Sequence, residues 1–173
     1  MSTQKPHAIS THLIKASPEI VWKFLTDAAL LNIWWLNAEK LAYKCSTDLK
    51  VFGIFRTILE HKQNKTAYDY LYLEIIPNRR LTFTSALMPD LSPGNPALAE
   101  TISFDLFEIE QGTRLVPDLK AKNFSELETI ASTSAHRAWI YNLTTLQKLA
   151  EQMQAEINQL KNQMPVPTRP AQP

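Results

Sequence analysis

The strongest constraint on this fold lies near the C-terminus. The chain holds eleven prolines in 173 residues, yet none falls between Phe124 and Met164. A proline inside a helix removes a backbone donor and clashes with the preceding turn, so this proline-free stretch can form one long helix. Its pattern agrees. Trp139, Leu143, Leu146, Ala150, Met153, Ile157, Leu160 and Met164 recur in steps of four and three, which gathers them into one apolar stripe. Ser125 and Glu128 make an S-x-x-E capping pattern at its start. The tail that follows, "PVPTRPAQP", is expected to stay unfolded.

What precedes the long helix reads mostly as strands. "HAISTHLI" places Ile9 and Leu13 on one side of a first strand. "ASPEIVWKFLTD" opens a helix, with Ser17 as N-cap, Pro18 in the first turn and Glu19 near the positive helix end. Ile20, Val21, Phe24 and Leu25 form its stripe, and Asp27 is expected to cap a second short helix, "AALLNIWW". Strand-like runs follow: "AEKLAYKC", "LKVFGIFRTILE", "AYDYLYLEII", "LTFTS" and "TISFDLFEIE". In the third, Tyr68, Tyr70 and Tyr72 alternate with Leu71, Leu73 and Ile75. "QGT" marks a hairpin turn, and Pro117 in "RLVPD" marks a strand end or an edge. A sheet with one apolar face needs a cover, and the long helix is the element that can supply one. The expected fold is α+β, a curved antiparallel sheet wrapped around a long C-terminal helix, with two short helices after the first strand. The expected organisation is a flexible start over 1–6, one domain over 7–149, a helix extension over 150–164 and a Pro-rich tail over 165–173.

Composition narrows the function. The net charge is +1, so bulk electrostatics favour neither nucleic acid nor an anionic membrane. Cys45 stands alone, which rules out an internal disulfide and fits a reducing compartment. "MSTQKPHAIS" has no apolar core for a signal peptide, and no stretch approaches the roughly 20 apolar residues that span a bilayer. A cytoplasmic location is the expectation.

Several stretches, in order, resemble one family. "IKASPEIVWKFLTDAALLNIWW", "DLKVFGIFR", "LEIIPNRRLTFT", "GTRL" and "HRAWIYNLTTLQKL" resemble the START-like, birch-pollen-allergen-like (SRPBCC) helix-grip superfamily. Within it they are similar to the group named for the activator of the 90-kDa heat-shock protein ATPase. The resemblance covers about His12 to Leu149. It implies a cavity between sheet and long helix, and implies that Trp35 closes the core beneath the helix pair; adjacent side chains point in different directions, so the other tryptophan is expected nearer the surface at the cavity mouth, and the residues alone leave open which of Trp34 and Trp35 takes which place. Two departures stand out. Phe52-Gly53 replaces a common glycine pair, and Ala138 replaces the glycine before the helix tryptophan. If both face inward, they reduce the cavity.

Catalytic signatures are absent: no H-E-x-x-H, G-x-S-x-G, phosphate loop or dinucleotide fingerprint occurs. No catalytic residue, metal ligand or cofactor is expected. Trp35, Phe55, Phe83, Phe104 and Trp139 are either core or cavity wall. Tyr70 or Tyr72 would give such a wall a polar tip, and Leu143 and His136 would face it from the helix. His136 otherwise reads as a structural histidine. Three functions compete: binding of a hydrophobic or amphipathic small molecule, regulation of the chaperone ATPase that the family's name suggests, and polyketide cyclase/aromatase-like catalysis. Met153, Ile157 and Leu160 extend the stripe beyond the resemblance, and are expected either to form a homodimer interface or to pack on the domain itself.

Overall fold

The computed structural model describes residues 11–35, 42–61, 64–88, 90, 92–93, 100–121 and 135–163; at 42–43, 59, 61, 64, 66, 121 and 135–140 it describes the backbone alone. Strand β1 (His12–Ile14) leads into helices α1 (Pro18–Thr26) and α2 (Ala28–Trp34). Strands β2 (Ala42–Thr47), β3 (Ile54–His61), β4 (Asn64–Ile76), β5 (Arg80–Thr84), β6 (Glu100–Ile109) and β7 (Gly112–Ala121) follow, then the long helix α3 (Ala135–Gln163). The expected capping pair Ser125 and Glu128, the tail, and the 1–6 segment lie outside the described residues.

All seven strands form one antiparallel sheet in the order β1-β7-β6-β5-β4-β3-β2. Only β1 and β7 leave sequence order, so the first strand closes one edge beside the last. Pro117 pairs with Phe104 of β6, but β1 pairs with β7 only as far as Leu115. Its missing donor thus falls where β7 is an edge among the described residues, the tolerated place for proline in a sheet.

The inner face gathers Phe55, Tyr72, Leu81, Phe83, Ile102, Phe104, Leu106 and Leu115, all buried. Leu143, Leu146 and Ala150 of α3 are buried against the same core. The outer face is polar. Thr82 shares a hydrogen bond with Ser103, and Arg80 donates to Glu74 and Asp105. The period-two pattern of β4 breaks once. Tyr72 pairs with Phe83 and Glu74 with Thr82, so Leu73 is an extra residue, a β-bulge. It moves Ile75 onto the tyrosine face, opposite Leu81, where simple alternation had put it on the other side.

Asp27 caps α2 as expected, its Oδ1 accepting from Ala29 and Leu30 N–H at 2.8 and 3.2 Å. Both tryptophans that end the helix are buried, Trp34 at 0% exposure and Trp35 at 3%. The expectation of a surface-facing partner is therefore corrected. Trp34 ends α2 and its Nε1 donates to the Phe24 carbonyl of α1 at 2.7 Å. Trp35 is already extended, and its ring meets Phe55 edge-on at 5.0 Å. The change of backbone state between them sends one ring under α1 and the other onto the sheet.

Phe52 does not face inward. It sits in the turn before β3 at φ 64°, with 56% exposure. Its backbone occupies the left-handed region that favours glycine, which explains the common glycine there without any effect on cavity size. The side chain of Ala138, the second departure, lies outside the described residues.

Candidate functional site

Period two brings the sequence candidates together. Tyr70 pairs with Phe55, and Tyr72 pairs with Phe83. Their rings form one continuous cluster. Phe55 stacks with Tyr70 at 5.7 Å, Phe83 meets Tyr70 edge-on at 5.4 Å, Trp35 lies 6.0 Å from Phe83, and Phe104 lies 6.1 Å from Phe83. Leu143 of α3 is buried in the same core. His136 and Trp139 lie on the first turns of α3, and their side chains lie outside the described residues.

The cluster is unevenly buried. Trp35, Phe55, Tyr72, Phe83 and Phe104 are fully packed. Tyr68, Tyr70 and Leu119 share their face yet stay only half-buried. Beside these less buried side chains is a residue that the sequence reading missed. Glu100 begins β6 two residues before Ile102, so it points to the apolar face with Ile102, Phe104 and Leu106. That parity was readable. A glutamate at a strand start, after a proline-rich loop, passes instead for a solvated end.

Tyr70 Oη donates to Glu100 Oε1 at 2.7 Å. Backbone bonds fix the carboxylate's base: Ser85 N–H donates to the Glu100 carbonyl at 3.0 Å, and Glu100 N–H donates to Ser85 Oγ at 3.1 Å. Burial pushes the Glu100 carboxyl above the ordinary carboxylate range, partly opposed by the Tyr70 hydroxyl. Burial, then the charge and hydrogen bond of Glu100, raise the Tyr70 phenol well above its ordinary value and keep it neutral. Both groups lie deep among protein atoms and still keep some solvent contact. Burial likewise raises Tyr72, and raises the Cys45 thiol to about 11, which makes that thiol a poor nucleophile.

At the other end of β6, about 30 Å away at strand rise, an open groove of about 380 Å³ runs between the β6–β7 turn, the β1–α1 junction and α3. The Lys15 and Ser17 N–H groups there already donate to Glu151 and Gln154 of α3. Met153 and Ile157 pack partly buried on the domain core, whereas Leu160 is 63% exposed. Among the described residues, no three His, Cys, Asp or Glu side chains group as a metal site, and no helix is long and apolar enough to cross a membrane.

The family model described as activator of Hsp90 ATPase homolog 1-like protein matches residues 15–151. Among solved structures, a protein from Nitrosomonas europaea is 23% identical, with 90% of this chain and 99% of that one covered and a TM-score of 0.73. One from Chromobacterium violaceum is 21% identical, with 82% and 95% covered and a TM-score of 0.61. One from Mesorhizobium loti is 20% identical, with 83% and 95% covered and a TM-score of 0.63. At these identities they speak to fold alone. No curated protein matches the chain.

Proposed function

The chain belongs to the activator of Hsp90 ATPase homolog 1-like family, and from that premise we propose that it binds an amphipathic small molecule between its sheet and α3. One observation carries the reading: the packed aromatic face ends at a half-buried tyrosine–carboxylate pair, Tyr70 and Glu100. A purely structural core has no use for a carboxylate there, because burying it costs free energy that apolar packing would not. A binding recess does, since an apolar wall with a few fixed polar groups is how small ligands are held and oriented. Regulation of a chaperone ATPase rests on the family's description alone, and a description transfers function poorly across a fold.

Native mass spectrometry of the gently purified protein, beside its denatured mass, tests the reading. The expected result is an extra mass that disappears on denaturation, or one that forms on adding a neutral apolar fluorophore. A bare mass under both conditions would overturn it.

A further inference from the structure

The turn between β2 and β3, residues 48–53, carries apolar side chains where turns are ordinarily polar or small. Leu49, Val51 and Phe52 are 41%, 48% and 56% exposed. Phe52 also holds the left-handed backbone state, at φ 64°. The other described residues with positive φ are Asn78 and Gly112, types that tolerate it. An exposed phenylalanine gains nothing from burial to offset that strain, so folding stability does not account for its presence. The turn is also stiff. Phe52 N–H donates to the Tyr72 carbonyl at 2.8 Å, Tyr72 N–H to the Gly53 carbonyl at 3.0 Å, and Gly53 N–H to the Lys50 carbonyl at 2.8 Å. Thr47 Oγ1 donates to the Thr26 carbonyl at 3.2 Å and ties the base of the turn to the end of α1. Apolar side chains on a fixed support dock with little further loss of entropy.

We propose that this turn docks the protein reversibly on a zwitterionic lipid surface, with Leu49, Val51 and Phe52 entering the boundary between head groups and acyl chains. Area and charge choose this occupant. The three half-exposed side chains offer roughly 250 Å² in all, far below the about 1,200–2,000 Å² that a stable protein interface buries. A bilayer accepts a small apolar insertion without a matching surface. Lys50 Nζ lies 2.8 Å from Asp48 Oδ2, so the turn neutralises its own charges, and the chain's net charge of +1 adds no strong attraction to anionic lipid. The proposal stands independently of the small-molecule reading above.

The test is flotation of the full chain with phosphatidylcholine vesicles, beside urea denaturation and light scattering of the same samples. Glycine suits φ 64°, so Phe52→Gly keeps the turn and should be at least as stable as the wild type. Its partition onto the vesicles should nevertheless fall about tenfold, the loss expected from one partly inserted aromatic side chain. A phenylalanine with a structural role alone would move stability and leave partition untouched. Leu49→Ser should weaken partition about threefold. Wild-type partition should change less than about twofold between about 0.05 and 0.5 M salt, because the contact is apolar. Failure of the wild type to float overturns the proposal, as does equal flotation of Phe52→Gly or a partition that salt abolishes. Where the wild type fails to float, particle mass shows what takes the lipid's place: a mass that falls in Phe52→Gly assigns the turn to a contact between copies of this chain, and an unchanged mass points to a different protein.

Discussion

Burial leaves the Glu100 carboxylate short of hydration, and one tyrosine hydroxyl only partly replaces what it has lost. The consequence for stability has a definite sign. Between the ordinary carboxylate pKa and the raised native one, the folded state holds a proton that the unfolded chain has released, so stability falls as pH rises through that window. Glu100→Gln keeps an acceptor for Tyr70 and removes the charge. Its melting temperature should exceed the wild type's at neutral pH, by about 2–4 °C for each kcal/mol regained, with the gain shrinking toward zero below about pH 4. Thermal melts at both pH values check this, and a gain independent of pH would assign the effect to packing instead. The adjacent residues Phe52 and Gly53 offer an opposite pair. Phe52 is exposed at φ 64°, so Phe52→Gly should stabilise the protein by about 1 kcal/mol in urea denaturation. A Cβ on Gly53 would collide with the Asp48 carbonyl, so Gly53→Ala should lose stability.

At the scale of elements, α3 is fastened by polar groups as well as by its apolar stripe. Gln147, Glu151 and Gln154, spaced four and three apart, face the β1–α1 segment. Gln147 donates to the Leu13 carbonyl at 2.9 Å, and its Oε1 lies 3.2 Å from His12 Nδ1. Glu151 and Gln154 accept from Lys15 and Ser17 N–H, both at 3.0 Å. The Ser17 side chain does not cap α1; its own carbonyl and the N–H held by Gln154 organise that helix start. Glu151→Ala and Gln154→Ala should each cost about 0.5–1.5 kcal/mol in chemical denaturation, with native circular dichroism retained; no loss in either would mean that water serves these donors equally well. The helices, the succession of strands along the chain and the apolar stripe were legible because each rests on local periodicity or caps. The Leu73 bulge was not, since an inserted residue shows only when the partner strand is known. The fates of Trp34 and Trp35 were illegible for a similar reason: residue type fixes their size, whereas the helix end that separates them is a matter of tertiary packing.

Across the whole molecule, α3 divides the labour between its ends. Its C-terminal half locks β1 and α1, at the end of the sheet away from Glu100. The residues proposed from sequence as an interface sit in that half, and their burial assigns them unequal roles. Met153 and Ile157 rest on the domain core, while Leu160 points outward. A stable protein interface buries on the order of 1,200–2,000 Å², far more than one exposed leucine can contribute. Assembly through this helix would thus have to peel Met153 and Ile157 from their own domain. We expect Ile157→Ser to lower stability by about 1–2 kcal/mol, the cost of exposing a partly buried aliphatic side chain, and to leave particle mass unchanged. Leu160→Asn should leave both stability and mass unchanged. Light scattering beside thermal melts separates the cases. A particle mass that falls in Leu160→Asn would return this helix to the subunit interface, and would show that its exposed turn is one part of a larger contact surface.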